Sequence, residues 1–146
     1  MSNFCVKSTL MSRLFLPLFL ILFSSSLYAQ PKKLSVVWDL SSADTLVQAA
    51  VFRQINNARV LEPDLDIEVV FHGYAVKSLL LVEKSFEARI KAAKQKGVTL
   101  AVCNNSLKRL NINPSELMSE TTIVPSAVVE LIKKQSEGWS YLKAGH

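Results

Sequence analysis

Short apolar, β-branched runs alternate with segments of helical periodicity along most of this chain. Five runs are predicted to form strands: residues 34–38, 67–71, 98–102, 121–124 and 139–142. Between them, apolar residues recur at helical spacing in three stripes: Val47, Val51, Ile55 and Ala58, then Phe86, Ile90 and Ala93, then Val128, Val129 and Ile132. Such alternation is typical of βαβ units. We therefore predict an α/β fold, a three-layer α/β/α domain with a mostly parallel sheet of about five strands.

The first thirty residues have the anatomy of a secretory signal peptide. Lys7 and Arg13 precede an unbroken apolar run at residues 14–23, and the small residue Ala29 lies at a suitable cleavage point. An uncleaved membrane anchor is the alternative, but a spanning helix needs about 20 apolar residues, roughly twice the length of this run. We predict a periplasmic protein with no stable membrane insertion after cleavage. The predicted parts are a signal peptide over residues 1–29 and a single domain over residues 30–146.

Composition and charge exclude several classes of protein. The chain has 146 residues, of which 49% are hydrophobic and 20% are charged, so disordered and collagen-like structures are excluded. The formal net charge is +5, but residues 1–29 contribute Lys7 and Arg13, and the remainder has 15 basic and 12 acidic residues, a charge of +3. Its lysines lie beside glutamates in helical segments, as on a solvated surface. We predict no nucleic-acid partner.

Polar residues follow the predicted strands. Because the carboxyl ends of parallel strands meet at one edge of a sheet, and ligands of such folds bind there, these residues are the candidates for chemistry. They are Asp39, His72, Gly73, Cys103, Asn104, Asn105, Pro125 and Ser126.

Cys103 is the leading candidate for a reactive group. It is the only cysteine after residue 29, so no disulfide within the mature chain can form. It lies where a strand meets a predicted helix, and the N–H groups and dipole of a helix N-terminus favour a thiolate. Lys108 and Arg109 would add to this field. The alternative is a small buried apolar residue, which is common for free cysteine. The Cys103-x-x-Ser106 spacing matches half of a dithiol redox motif, but the second cysteine is missing.

The other candidates have both functional and structural interpretations. His72 is predicted to act as a base or hydrogen-bond partner for the thiol, or to bond to the backbone. Gly73 would allow a tight turn or a close approach to a ligand. Asp39 would accept a hydrogen bond from a turn amide, with an N-cap or Asx-turn role favoured. Asn104 and Asn105 would donate to an anionic ligand, or cap a helix.

No cofactor and no metal are predicted. The chain has no G-x-G-x-x-G, P-loop or G-x-S-x-G segment. One cysteine and two histidines after residue 29, with one histidine at the terminal position 146, form no zinc pattern. Trp139 and Tyr141 are interpreted as aromatic residues of the core or of a subunit contact.

Residues 34–143 resemble the DsrE/DsrF-like sulfur-relay family, most clearly in three stretches: residues 97–112 around Cys103, residues 67–73, and residues 135–143. The resemblance implies a five-stranded parallel sheet in which the second and third strands are neighbours, so that His72 and Cys103 end adjacent strands. It also implies homo-oligomers, often trimers or hexamers, and sulfur carried as a persulfide on Cys103. Relay members act in the cytoplasm, whereas this chain has an apparent export signal. We therefore expect this chain to share the fold of the family but not the cytoplasmic sulfur pathway of its relay members.

Two functions follow from these observations. The first is a periplasmic sulfur carrier, at most sulfurtransferase-like, that exchanges sulfur with a donor or acceptor protein through Cys103 and His72. The second is a non-catalytic, oligomeric binding or accessory module with the same fold. The solvent exposure of Cys103 distinguishes the two functions, because a buried Cys103 without a polar cleft favours the accessory module.

Overall fold

The computed structural model describes residues 33–145, so the predicted signal peptide lies outside the described residues. The strands are β1 (Ser35–Leu40), β2 (Asp66–Phe71), β3 (Thr99–Cys103), β4 (Thr121–Val124) and β5 (Ser140–Lys143). The α-helices are α1 (Thr45–Leu61), α2 (Glu87–Gln95), α3 (Asn104–Arg109) and α4 (Ala127–Ser136). Two 3₁₀ helices span Gly73–Leu79 and Pro114–Glu116. Within residues 33–145, no helix has the length and apolar character that a membrane span requires.

The five described strands form one sheet in the order β4-β3-β2-β1-β5. Every neighbouring pair in it is parallel. Helices cover both faces of the sheet, so the predicted α/β architecture is confirmed. The pairing of β2 with β3, which the family resemblance implies, is confirmed as well.

The strand order explains why the two faces are covered unequally. From β1 to β4 each connection steps in one direction across the sheet, and from β4 to β5 the chain returns past all of these strands. Because parallel crossovers are right-handed, opposite steps place their helices on opposite faces. The helices α1, α2 and α3 therefore share one face with the first 3₁₀ helix, and α4 covers the other face alone.

The face under α1 and α2 holds most of the apolar core. The predicted stripe of α1 is confirmed, with Val51 and Ile55 fully buried and Phe52 beside them, and so is the stripe of α2 around Ile90. The carboxylate of Asp44 accepts a hydrogen bond from the N–H of Leu46 at 2.8 Å and caps α1, as expected for an aspartate before an apolar-periodic segment. Local sequence rules therefore hold well on this face.

The predicted core face of α4 is wrong. Val128, Val129 and Ile132 are 64%, 62% and 60% exposed, while Ala127 and Leu131 are buried against the sheet. The sequence of α4 has apolar residues on two sides, so its periodicity does not choose between two rotations. Contacts with the sheet make the choice.

A buried ion pair accounts for the observed rotation of α4. Lys134 follows Leu131 by three residues and so lies on the same side of the helix, where its Nζ is 3.0 Å from Glu68 Oε2 on β2. The same Nζ lies 4.3 Å from the ring centroid of Trp139. Burial raises the pKa of Glu68, and the hydrogen bond and charge of Lys134 oppose that rise only in part. Leaving this carboxylate without a cation would be costly.

The 3₁₀ helix at Gly73–Leu79 has no counterpart among the predicted elements. Its period of three residues gives no α-helical stripe, although Ala75, Val76 and Leu79 are buried in it. The chain enters it through Gly73, which has a φ of +56°. A Cβ there would lie 3.2 Å from the carbonyl oxygen of Ser41, so both the conformation and the close packing require glycine.

Candidate functional site

Three of the predicted site residues project on the α4 face at the carboxyl edge of the sheet. Side chains alternate along a strand. Asp39 in β1 and Cys103 in β3 follow the inward-facing Val37 and Ala101 by two residues, and His72, directly after β2, follows the inward-facing Val70 by two. Phe71 pairs with both Leu40 and Val102 in the ladder. His72 is therefore level with Cys103, on strands about 4.8 Å apart.

Cys103 lies at the topological switch point of the sheet. The chain leaves β3 into α3 on one face and leaves β4 into α4 on the other. The two strands are neighbours, with Cys103 opposite Val124. Divergent connections between adjacent parallel strands open the crevice in which ligands of this architecture bind.

The thiol lies between two helix N-termini. Cys103 is the N-cap residue of α3, and the backbone N–H of Ala127, the first residue of α4, donates to its Sγ at 3.3 Å. Cys103 is only 4% exposed. The free N–H groups of a helix N-terminus stabilise a neighbouring negative charge, so two of them act on one sulfur atom.

Hydrogen bonds decide the ionisation of the thiol. Burial, the largest single effect, raises the pKa of Cys103, but the Ser106 hydroxyl and the backbone N–H groups of Ala127, Ser106 and Asn105 together lower it further than burial raises it. The net result is a pKa below the ordinary value of a thiol. The groups that lower it are all hydrogen-bond donors, and the predicted contribution of Lys108 and Arg109 is not among them.

Ser106 belongs to the site, although the sequence analysis named it only in the Cys103-x-x-Ser106 spacing and gave it no role. Its Oγ accepts the N–H of Gly73 at 2.9 Å, so its own proton is free to serve the thiol. Ser106 is the third residue of α3, and a side chain at that position points back to the N-cap, here Cys103. The three-residue offset between Cys103 and Ser106 is the feature of the sequence from which this contact could have been predicted. Ser106 thus joins Gly73 at the end of β2 to the sulfur.

The carboxylate of Asp39 accepts hydrogen bonds from two side chains, His72 directly after β2 and Tyr141 in β5. Nε2 of His72 lies 2.5 Å from Asp39 Oδ1, and the Tyr141 hydroxyl donates to Asp39 Oδ2 at 2.7 Å. A carboxylate only accepts, so Nε2 of His72 is the donor in this contact. The hydrogen bond to Asp39, with some burial and the charge of Asp39, raises the pKa of Tyr141.

These contacts correct two structural interpretations. Asp39 is neither an N-cap nor the acceptor of a turn amide, because both of its oxygens are engaged by side chains. Asn104 and Asn105 do not cap α3 with their side chains, because the N-cap is Cys103. The N–H of Asn105 acts on the thiol instead. The predicted ligand-binding roles of these residues and of Gly73 stay predictions.

The structure brings His72 to the strand end beside Cys103 without joining the two side chains. Among residues 33–145, no hydrogen bond links the imidazole to the thiol, and the Nε2 side of the ring is taken by Asp39. The role of His72 in proton transfer therefore stays a prediction. In the same part of the chain, no group of three or more His, Cys, Asp and Glu side chains is arranged to hold a metal ion.

Solved structures share this fold. A protein of unknown function from Methanobacterium thermoautotrophicum has a TM-score of 0.73 at 22% identity, over 76% of this chain and 99% of its own. The ychN protein from E. coli has a TM-score of 0.62 at 17% identity, over 76% and 97%. A conserved protein of unknown function from Bacteroides thetaiotaomicron has a TM-score of 0.59 at 16% identity, over 75% and 93%. Likeness at these identities shows the fold alone.

Family membership rests on a broader match. A search of curated proteins found no match. The model of the DsrE/DsrF-like family matches residues 19–144, which include every strand, every helix and the site around Cys103. The family resemblance of the three sequence stretches is thereby confirmed, and the chain belongs to the DsrE/DsrF-like family.

Proposed function

We propose that this protein carries sulfur as a persulfide on Cys103. Membership in the DsrE/DsrF-like family supports a sulfur-relay role. The observation that carries the proposal is the surroundings of Cys103 Sγ, which is stabilised as a thiolate by N–H groups from two helix N-termini and by Ser106. A thiolate, and not a thiol, is the nucleophile in sulfur chemistry.

The loading step needs no cofactor. The Cys103 thiolate attacks the outer sulfur of a donor persulfide, R–S–SH. An S–S bond forms at Cys103 as the S–S bond of the donor breaks, and the donor leaves as the thiolate R–S⁻. The sulfur is transferred at an unchanged oxidation level, so no electron donor or acceptor enters. The same donors that lower the pKa of the thiol then face the persulfide anion.

One observation favours the accessory-module function instead. Cys103 is only 4% exposed, so a sulfur donor has little access to its sulfur in this conformation. A thiol that stays covered would be structural. The polar donors around it argue against a merely apolar packing role, because a small apolar residue would need none of them.

Alkylation against pH separates the two functions. The rate of iodoacetamide addition to Cys103 should have an inflection below that of free cysteine, because the pKa of the thiol is lowered. Incubation with sodium polysulfide should add the mass of one sulfur, removable by reductant. Cys103→Ser is the matched control and should show neither result. Slow alkylation with an inflection at the free-cysteine value, and no sulfur adduct, would establish the accessory module.

Export and self-association belong to this proposal. The anatomy of residues 1–29 supports a periplasmic location, and N-terminal sequencing of the mature protein should find a start near Gln30. The exposed Val128, Val129 and Ile132 on α4 support a homo-oligomer, because contiguous exposed apolar residues mark contact surfaces. Sedimentation should show a trimer or hexamer, and Ile132→Ser should shift it towards monomer.

A further inference from the structure

Two cations share one exposed aromatic ring at the carboxyl edge of the sheet. Lys77 Nζ lies 5.4 Å from the ring centroid of Tyr74, and Arg109 Cζ lies 5.5 Å from the same centroid. Tyr74 is 51% exposed. We call Tyr74, Lys77 and Arg109 the cationic cluster. The ring attracts each cation through its negative face, but it does not neutralise either charge.

The charge of this cluster is only partly balanced in the described part of the chain, where Glu83 lines the same pocket as Tyr74 and Lys77. Neither Lys77 nor Arg109 has a carboxylate within ion-pair distance among residues 33–145. Four lysines of the same domain do have such partners, Lys33, Lys84, Lys91 and Lys134, whereas Lys77 differs from the other unpaired lysines in sharing an aromatic ring with a second cation. The neighbouring Lys108 is exposed and adds a further positive charge to the same helix end.

The cluster is connected to the thiol through two elements, the first 3₁₀ helix and α3, which pack on the other face of the sheet. Tyr74 directly follows Gly73, which Ser106 joins to the sulfur. Arg109 ends the helix that Cys103 caps, so the two residues lie about 9 Å apart along the axis of α3. A partner seated on the cluster would therefore lie at the carboxyl edge of the sheet, where β3 ends at Cys103.

We propose that the cationic cluster docks an acidic surface of the protein that exchanges sulfur with Cys103. The inference rests on the proposed sulfur-carrier function for its purpose, but not for the binding itself. An exposed ring with open cations fits a macromolecular surface better than a small anion, because solvent screens single exposed charges whereas an interface sums several pairs. Tyr and Arg are also enriched at protein interfaces. The complementary charges would speed encounter with the partner.

Binding is tested without sulfur chemistry. Two fluorescent peptides of equal length, one rich in glutamate and one rich in lysine, are titrated onto the mature Cys103→Ser protein. The acidic peptide should bind about tenfold tighter at low ionic strength and lose that advantage as salt rises. The variant Lys77→Glu/Arg109→Glu should abolish the preference. The control Lys94→Glu/Lys133→Glu changes the net charge equally at exposed sites elsewhere and should retain it.

Transfer is tested on the protein with Cys103 intact. The same two peptides, each with one cysteine persulfide, are compared as donors with free cysteine persulfide. The acidic peptide should load Cys103 about tenfold faster than the basic one, and only the peptide reactions should slow in Lys77→Glu/Arg109→Glu. Circular dichroism checks the fold of each variant, and Lys77→Gln/Arg109→Gln offers a milder loss of charge.

The outcomes separate the two proposals. Binding of the acidic peptide without sulfur loading from any donor would retain the docking surface and overturn the sulfur carrier. Equal binding and loading by both peptides would overturn docking and retain the carrier. If Lys77→Glu/Arg109→Glu and the control Lys94→Glu/Lys133→Glu lose the preference for the acidic peptide equally, the preference comes from net charge and docking at the cluster is overturned. Competition by sodium thiosulfate beyond sodium sulfate of equal ionic strength would assign the cluster to a small anion and also overturn it.

Discussion

The two faces of the sheet use the same strands for different purposes. The face under α1 and α2 is filled by apolar side chains from every central strand, with Leu40, Val69 and Leu100 fully buried. The face under α4 has a small apolar core of six buried residues among those described: Val37, Val70, Ala101, Cys103, Ala127 and Leu131. The remaining positions on this face include the polar Asp39 and Glu68 in strands and His72 directly after β2.

This difference shows how a small fold separates stability from chemistry. Apolar burial scales with covered area, so the face with more helices supplies most of it. The single helix on the other face is ten residues long, and the N–H of its first residue contacts the sulfur of Cys103. The polar side chains there are paired, Asp39 with His72 and Glu68 with Lys134, although Glu68 Oε1 is buried without a hydrogen-bond partner among the described residues.

The largest expected effect tests whether the face under α1 and α2 determines the stability of the fold without affecting the thiol on the other face. Ile90→Ala, at a fully buried position of α2, should lower the free energy of unfolding by about 3–4 kcal/mol, since the cavity adds to the lost burial. Urea unfolding measures this. The exposed control Val60→Ala should change it by less than about 0.5 kcal/mol. The alkylation profile of Cys103 should stay unchanged, and a shifted profile would mean that the two faces are coupled.

The ion pair beneath α4 tests the second face. Lys134→Met leaves the buried carboxylate of Glu68 without its cation and should cost about 3 kcal/mol at neutral pH. Glu68→Leu/Lys134→Met should recover most of that loss, because apolar residues can replace a buried pair. Full destabilisation in the double variant would mean that Lys134 acts through its contact with Trp139.

The pH dependence of that variant follows from the pKa of Glu68. Because the folded pKa lies above the ordinary value of 4.5, this group contributes stability that is present below 4.5 and is lost as pH rises through the folded pKa. Lys134→Met removes the groups that oppose the rise. The loss should become larger and extend to higher pH, which urea unfolding from acidic to neutral pH measures.

Ser106→Ala tests how much the Ser106 hydroxyl lowers the pKa of the Cys103 thiol. The alkylation inflection of Cys103 should move up towards that of free cysteine, since the hydroxyl that lowers its pKa is gone. Stability should fall by about 1–2 kcal/mol, because the Gly73 N–H loses its acceptor. A depressed thiol pKa contributes stability that is complete above the unfolded pKa and is lost as pH falls through the folded pKa. That alkaline contribution should shrink in Ser106→Ala, whereas the exposed Ser136→Ala should leave it unchanged.

The smallest expected effect concerns the hydrogen bond between β5 and β1. Tyr141→Phe should cost at most about 1 kcal/mol, because the hydroxyl is partly exposed. Asp39→Asn should lower the pKa of Tyr141 towards its ordinary value, since Asp39 is what raises it. Tyrosinate absorbance measures this, with Tyr141→Phe to assign the signal and Tyr74→Phe as control. An unchanged titration would mean that the two side chains do not meet in solution.

Local patterns in the sequence predicted much of the fold. The strands of the sheet, the stripes of α1 and α2 and the capping by Asp44 all depend on residues within a few positions of one another. The same holds for Gly97, which follows α2 with a φ of +75°, as predicted from its place after the last apolar residue. The reactive edge was predictable too, because parallel strands bring their carboxyl ends together wherever they lie in the chain.

The sequence alone therefore determined the strands, the α-helices, the family and the polar strand ends, whereas the tertiary structure decided the 3₁₀ helix at Gly73–Leu79 and how those ends are connected. The pairing of Tyr141 with Asp39 spans 102 positions, and no local period encodes it. The rotation of α4 was undetermined because its apolar residues occupy two sides, and Glu68 on a distant strand selects one of them. That rotation places the N–H of Ala127 on Cys103. Periodicity specifies which residues are apolar, but the partner of each polar group depends on strand order and helix rotation, which only the packed molecule fixes.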